Sequence, residues 1–102
     1  MTESELIQRC EIEHLRYNDE LHLFEVGDFY EIRGIEATEV APLLNLPIST
    51  REYDASIRYK ERVAIIGFPK GDGWYRERLR KKGYYFIFLG EDYGKSKKGR
   101  GQ

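Results

Sequence analysis

Hydrophobic positions fall in short blocks along the chain, and the spacing inside each block predicts what the backbone does there. Over residues 2–17, Leu6, Ile7, Cys10 and Leu15 recur at helix-like intervals, and no Gly or Pro appears before Gly27. Thr2 with Glu5 three places on has the form of a capping box, so a first helix is expected that docks on the core through an imperfect stripe. "LHLFEV" and "FYEIR" read as two strands around Gly27-Asp28, a pair that favours a turn or bulge. "IEATEVAPLLNLP" is apolar at helical spacing through Val40, Leu43 and Leu44. Because Pro42 lacks an amide hydrogen, that helix is expected to begin near Thr38 or Glu39, with the proline in its first turn and Pro47 ending it.

Beyond residue 47 the pattern changes to β-branched and aromatic residues. A loop or edge hairpin is expected over 48–60, followed by a buried strand "RVAIIGF". Asp72 is placed to cap a third helix, "GWYRERLRKK", which Gly83 closes. The last strand, "YYFIFL", is apolar on both faces, which predicts a central or covered position with Tyr84, Tyr85 and Phe86 in the core; Trp74 reads as core or rim. The order of elements gives an α+β domain, a small mixed sheet flanked by about three helices. Residues 1–93 form that domain, and 94–102, "GKSKKGRGQ", form a basic tail expected to be disordered alone.

Composition narrows the function. The chain has 102 residues, enough for one modest core. No block is long and apolar enough for a membrane span or signal peptide, so a cytoplasmic protein is expected, nucleoid-associated if it binds DNA. Cys10 is the lone cysteine, and with only His14 and His22 as imidazoles no zinc site and no cofactor are expected. The net charge of −1 hides a split: residues 1–40 carry eleven acids against three arginines, and residues 41–102 carry fourteen bases against seven acids. An acidic and a basic side of the molecule would follow if the halves separate in space.

Within this frame "GDFYE", residues 27–31, poses a packing conflict. In a strand Phe29 and Glu31 share one face, whereas Tyr30 and Ile32 share the other. Burial of the first face would strip Glu31 of water, and exposure would leave Phe29 wet. Tyr30 and Ile32 are therefore the better core candidates. Asp28 and Glu31 lie close in sequence, but no nucleophile, oxyanion donor or ligand set accompanies them, so an enzyme is not expected.

Taken in order, "FEVGDFYEI", a helix ending "LLNLPIS", "AIIGFP" and "WYRERLRKKGYYFIFLGED" resemble the N-terminal mismatch-recognition domain of the MutS family of DNA mismatch repair proteins, from about Leu15 to Asp92. The resemblance implies that Phe29 enters the minor groove and stacks on a mispaired or unpaired base while Glu31 contacts the same base. It implies double-stranded DNA with mismatches or unpaired bases as partner, with no small-molecule substrate and no membrane. Arg51, Arg58, Lys60 and Arg62, and Arg76, Arg80 and Lys81, are the candidate backbone contacts.

The departures are specific. Arg33-Gly34 replaces the aromatic or apolar residues usual after Phe-x-Glu, and the loop "FPKGDGWY" is short and lacks the family's His. No Gly-x-x-x-x-Gly-Lys-Ser/Thr loop occurs in these 102 residues, so ATPase activity is not expected of this chain. A stand-alone DNA-binding module is the leading expectation, with a second copy or another repair protein to help it grip. The alternative is a protein-interaction module that keeps the fold without the ligand, regulating repair proteins; without its tail the body is acidic, thirteen bases against eighteen acids.

Overall fold

The computed structural model describes residues 2–54 and 60–90. Helix α1, Glu3–Arg16, starts at Thr2, whose side chain accepts the Glu5 N–H while Glu5 accepts the Thr2 N–H. Strand β1, Glu20–Val26, turns through Gly27 and Asp28 into β2, Phe29–Arg33. Gly27 has φ of 56°, a conformation that costs other residues more and that the first position of a tight hairpin turn demands. Helix α2 is Ile35–Leu44; β3, Ser49–Asp54, and β4, Lys60–Pro69, pair antiparallel; helix α3, Trp74–Lys81, leads to β5, Tyr85–Leu89. The sheet order is β3-β4-β2-β1-β5, antiparallel except for the parallel β1–β5 pair, so the mixed sheet and α+β class expected from sequence are what the chain adopts.

Alternation along the strands divides the apolar residues between two cores. On one face Leu21, Leu23, Ile32, Ile66 and Phe68 pack under Val40, Leu44 and Leu79 of α2 and α3. On the other, Phe24, Tyr53 and Val63 pack under Ile7 and Cys10 of α1. Adjacent side chains on β2 therefore serve opposite layers: Tyr30 and Ile32 face α2 and α3, and Phe29, Glu31 and Arg33 face the side of α1. Burying one aliphatic or aromatic core side chain contributes about 1.5–3 kcal/mol, so these two layers dominate stability.

Four expectations are corrected. Helix α2 begins at Ile35, which puts Pro42 near its end instead of in its first turn. The reason lies in a distant residue: Glu11 of α1 accepts the Ile35 N–H at 2.8 Å, and Gly34, with φ of 78°, makes the sharp entry. Asn45 in the left-handed region, not Pro47, closes the helix, with the Leu46 N–H returned to Ala41. On α1, Leu15 is exposed and His14 is buried in its place, because His14 finds polar partners on β1 and α2. Strand β5 is an edge strand rather than a central one, and Tyr85 and Phe88 are exposed on it. Asp72 accepts the Trp74 N–H at 3.1 Å, and Gly83 with φ of 99° follows α3, as the third-helix reading requires. The connection between β3 and β4 and the tail 94–102 lie outside the described residues.

Candidate nucleic-acid interface

The β1–β2 hairpin positions the site. Val26 pairs with Phe29 beside the turn, and Phe24 pairs with Glu31 two residues further in. On the other flank β4 sets Pro69 against Phe29 and Gly67 against Glu31. Phe29 is 49% exposed, although it is a large aromatic in the second strand from which the sheet is built. The hairpin tip extends beyond the cover of α1, which packs on β1 and β3. The conflict in "GDFYE" is resolved by position along the strand: one face is wet at Phe29 and largely closed by Glu31.

Glu31 is held by two arginines. Its Oε1 accepts from Arg33 Nη2 at 2.8 Å and Nε at 3.2 Å, and from Arg51 Nη1 at 3.2 Å; its Oε2 accepts from Arg51 Nη2 at 3.0 Å. Burial pushes the Glu31 carboxyl up, but the bonds from Arg51 and Arg33 and their charges reverse this and hold it below the usual carboxylate range. Arg33 is itself buried, with its guanidinium 4.2 Å from the Phe24 ring centroid and 5.4 Å from that of Tyr53, and with Glu3 of α1 at 3.3 Å. The stacked, planar guanidinium is what allows a cation here, since it is weakly hydrated and satisfied by rings and carboxylates together.

Beside Glu31 a groove of about 290 Å³ is lined by Arg51, Ser49, Pro47, Leu46, Ile65 and Gly67 among others. Gly67 leaves that groove open: a Cβ there would reach only ordinary contact, 3.8 Å from Glu31 Cγ, so a larger side chain would occupy the space.

The candidate anchors do not form one cluster. Arg51 lies with Phe29 and Glu31 on one face but is engaged with Glu31. Arg62 is exposed on β4 and pairs with Glu52. Arg76 reaches the hairpin from the opposite face, its guanidinium 5.3 Å from the Tyr30 ring centroid and its Nη2 bonded to the Lys70 carbonyl. Arg80 pairs with Glu77 and lies 5.6 Å from the Phe86 ring centroid; Lys81 is exposed at the end of α3. Arg58 and the side chain of Lys60 fall outside the described residues. Sequence reasoning missed Lys70: its N–H donates to the Asp28 carbonyl at 2.8 Å, and its Nζ lies 3.1 Å from Glu25 and 5.5 Å from the Tyr30 ring centroid. The signal was present in "FPK", because the pairing that sets Pro69 against Phe29 carries the next residue to the hairpin tip.

Fold and hairpin together define the class: an α+β domain with helices on both faces of a mixed sheet and its exposed aromatic chemistry at a hairpin tip. The family model of MutS domain I matches residues 9–92, and the chain belongs to that family. Among its relatives, the DNA mismatch repair protein MutS of Chlorobium phaeobacteroides is 43% identical over 70 residues, 68% of this chain and 8% of the relative. The MutS of Christiangramia forsetii is 38% identical over 64 residues, 63% of this chain and 7% of its own length. That of Methanosarcina barkeri is 38% identical over 69 residues, 67% of this chain and 7% of its length. The chain thus spans less than a tenth of the curated relatives it matches.

Proposed function

We propose that this domain binds double-stranded DNA at mispaired, unpaired or otherwise deformable steps, with Phe29 as the wedge and Glu31 as the contact to the base edge, and that it does so without ATPase chemistry of its own. The observation that carries this reading is Phe29, half exposed at the hairpin tip while its neighbours on both flanking strands are ordered by the sheet. Inserting a ring costs a few kcal/mol of unstacking, and base–aromatic stacking returns about 1–3 kcal/mol. The two nearly cancel on intact duplex and favour a step already weakened by a mispair. Lys70 and Arg76, flanking the tip, supply phosphate contacts, with Arg62, Arg80, Lys81, Arg58 and Lys60 as outlying candidates.

The test is fluorescence anisotropy on a fully paired duplex and one with a single mismatch or unpaired base. Wild type binds the defective duplex more tightly, and Phe29→Ala abolishes the difference while leaving the melting temperature unchanged. Equal binding to both duplexes by the wild type refutes the reading. A second reading, a protein-docking module that keeps the fold and regulates repair proteins, is favoured by edge strand β5 with its exposed Tyr85 and Phe88 among the described residues. Added salt separates the two, since phosphate contacts weaken with it and an apolar protein contact does not.

A further inference from the structure

The geometry around Glu31 limits what this carboxylate can recognise, and the argument rests on the proposed role of Phe29 and Glu31. An ionised carboxylate has about four lone-pair positions. Oε1 receives three N–H groups from Arg33 and Arg51, and Oε2 receives one from Arg51. Oε1 is therefore saturated, and Oε2 retains an open position on a side chain that is 12% exposed. A proton on this carboxyl would remove the negative charge that four N–H groups of two guanidinium ions stabilise, so a donating, neutral Glu31 is disfavoured by the arrangement itself. Gly67 beside it keeps the approach open.

We infer that Arg51 and Arg33 act as positioning residues that make Glu31 an obligate hydrogen-bond acceptor, and that its free Oε2 lone pair selects a mispaired or unpaired base bearing an N–H on its minor-groove edge. The chemistry of that edge then names the ligand class. Adenine N3 and thymine O2 are acceptors, and only guanine adds a donor, its 2-amino group. A purine with a 2-amino group gains a charge-assisted bond; one without it presents a lone pair to a carboxylate. Arg33 is what gives Glu31 its second clamp.

The test compares duplexes that differ only in the substituents at purine positions 2 and 6: one unpaired guanine, hypoxanthine, adenine or 2-aminopurine in the same context, bound by the full chain and followed by anisotropy. Guanine and 2-aminopurine should bind roughly tenfold more tightly than hypoxanthine and adenine, the size of one hydrogen bond to a charged group. In Arg51→Met, whose side chain is 47% exposed in the wild type, the ratio should fall toward one; Arg51→Lys should restore part of it. Lowering the pH from 7.5 to 5.5 should leave the wild-type ratio unchanged, because the four bonds from Arg33 and Arg51 favour the ionised carboxylate. If guanine and hypoxanthine bind alike, or the ratio ignores Arg51→Met, while Phe29 still governs preference for an unpaired base, this inference is wrong and the proposed function stands. If no unpaired base is preferred over paired duplex, both fall.

Discussion

At the scale of single residues, Phe29 and Arg33 are opposites on the same strand face. Phe29 packs little, so its removal changes stability by less than about 0.5 kcal/mol, as for surface substitutions away from special features. Arg33 is 3% exposed, and Arg33→Met leaves its apolar stem in place while removing the cation that Glu31 and Glu3 face. Breaking a buried pair costs about 3–5 kcal/mol. Because Arg51 continues to neutralise Glu31, a loss of about 2–3 kcal/mol is expected, read as a lowered urea midpoint with unchanged slope. A change below about 0.5 kcal/mol would show that the ring-stacked guanidinium contributes no net stability. The pairing of Phe29 with Glu31 on one face was legible in "GDFYE", because strand alternation is a local property. The clamp was not, since Arg51 lies twenty residues away and meets Glu31 only through the order β3-β4-β2.

Between elements, the joint of α1, α2 and β1 is polar and titratable. His14 Nδ1 lies 2.6 Å from the Glu20 carbonyl and Nε2 2.8 Å from Glu39 Oε1; a carbonyl and a carboxylate both accept, so this pair of contacts favours the doubly protonated imidazolium. Burial lowers its pKa, but the bonds to Glu39 and Glu20 and the charges of Glu36 and Glu39 raise it above the ordinary 6.5. Glu39, which burial pushes up and the bonds from Tyr84 and His14 pull down, ends below its ordinary 4.5. A raised His pKa stabilises fully below 6.5 and is lost as pH climbs through the folded value; the lowered Glu39 stabilises above 4.5 and is lost as pH falls. The joint should therefore contribute most between about pH 4.5 and 6.5. Melting temperatures of wild type and His14→Gln, measured from pH 5 to 9, should differ most near pH 6 and converge in alkali; a gap independent of pH would refute the imidazolium. This joint also explains which elements the sequence misplaced. The buried polar stripe through Ser4 and His14 reads as solvent-facing in any hydrophobic pattern, and the start of α2 depends on Glu11 from another helix. The strands, whose signal is local alternation, were placed nearly correctly; β5 was not, because an apolar strand does not announce which neighbours it lacks.

For the molecule as a whole, the charge split in the sequence becomes a split between layers. Acidic α1 covers the face of Phe24 and Tyr53, and basic α3, with Arg76, Arg78, Arg80 and Lys81 against Glu77, lies in the layer on the other side of the sheet. Under the proposed function a duplex at the hairpin tip would be attracted by the α3 layer and opposed by acidic α1, on whose side Phe29 and Glu31 lie, so charge would bias how it sits across the tip. Many cations are already neutralised by neighbours, as Arg51 is by Glu31, Arg62 by Glu52 and Arg80 by Glu77. Arg76 bonds a carbonyl rather than a carboxylate, and its buried Nε has no hydrogen-bond partner among the described residues. With no carboxylate among the described residues cancelling its charge, Arg76 is a candidate phosphate contact beside the tip. Each phosphate neutralised lowers the slope of log K against log salt by about 0.9. Arg76→Ala should thus flatten that slope by close to one unit on paired and defective duplexes alike, weakening both equally, whereas Phe29→Ala should leave the slope intact and remove only the preference. Titrations at four salt concentrations measure both quantities at once. An unchanged slope in Arg76→Ala would mean that Arg76 on the α3 face makes no phosphate contact.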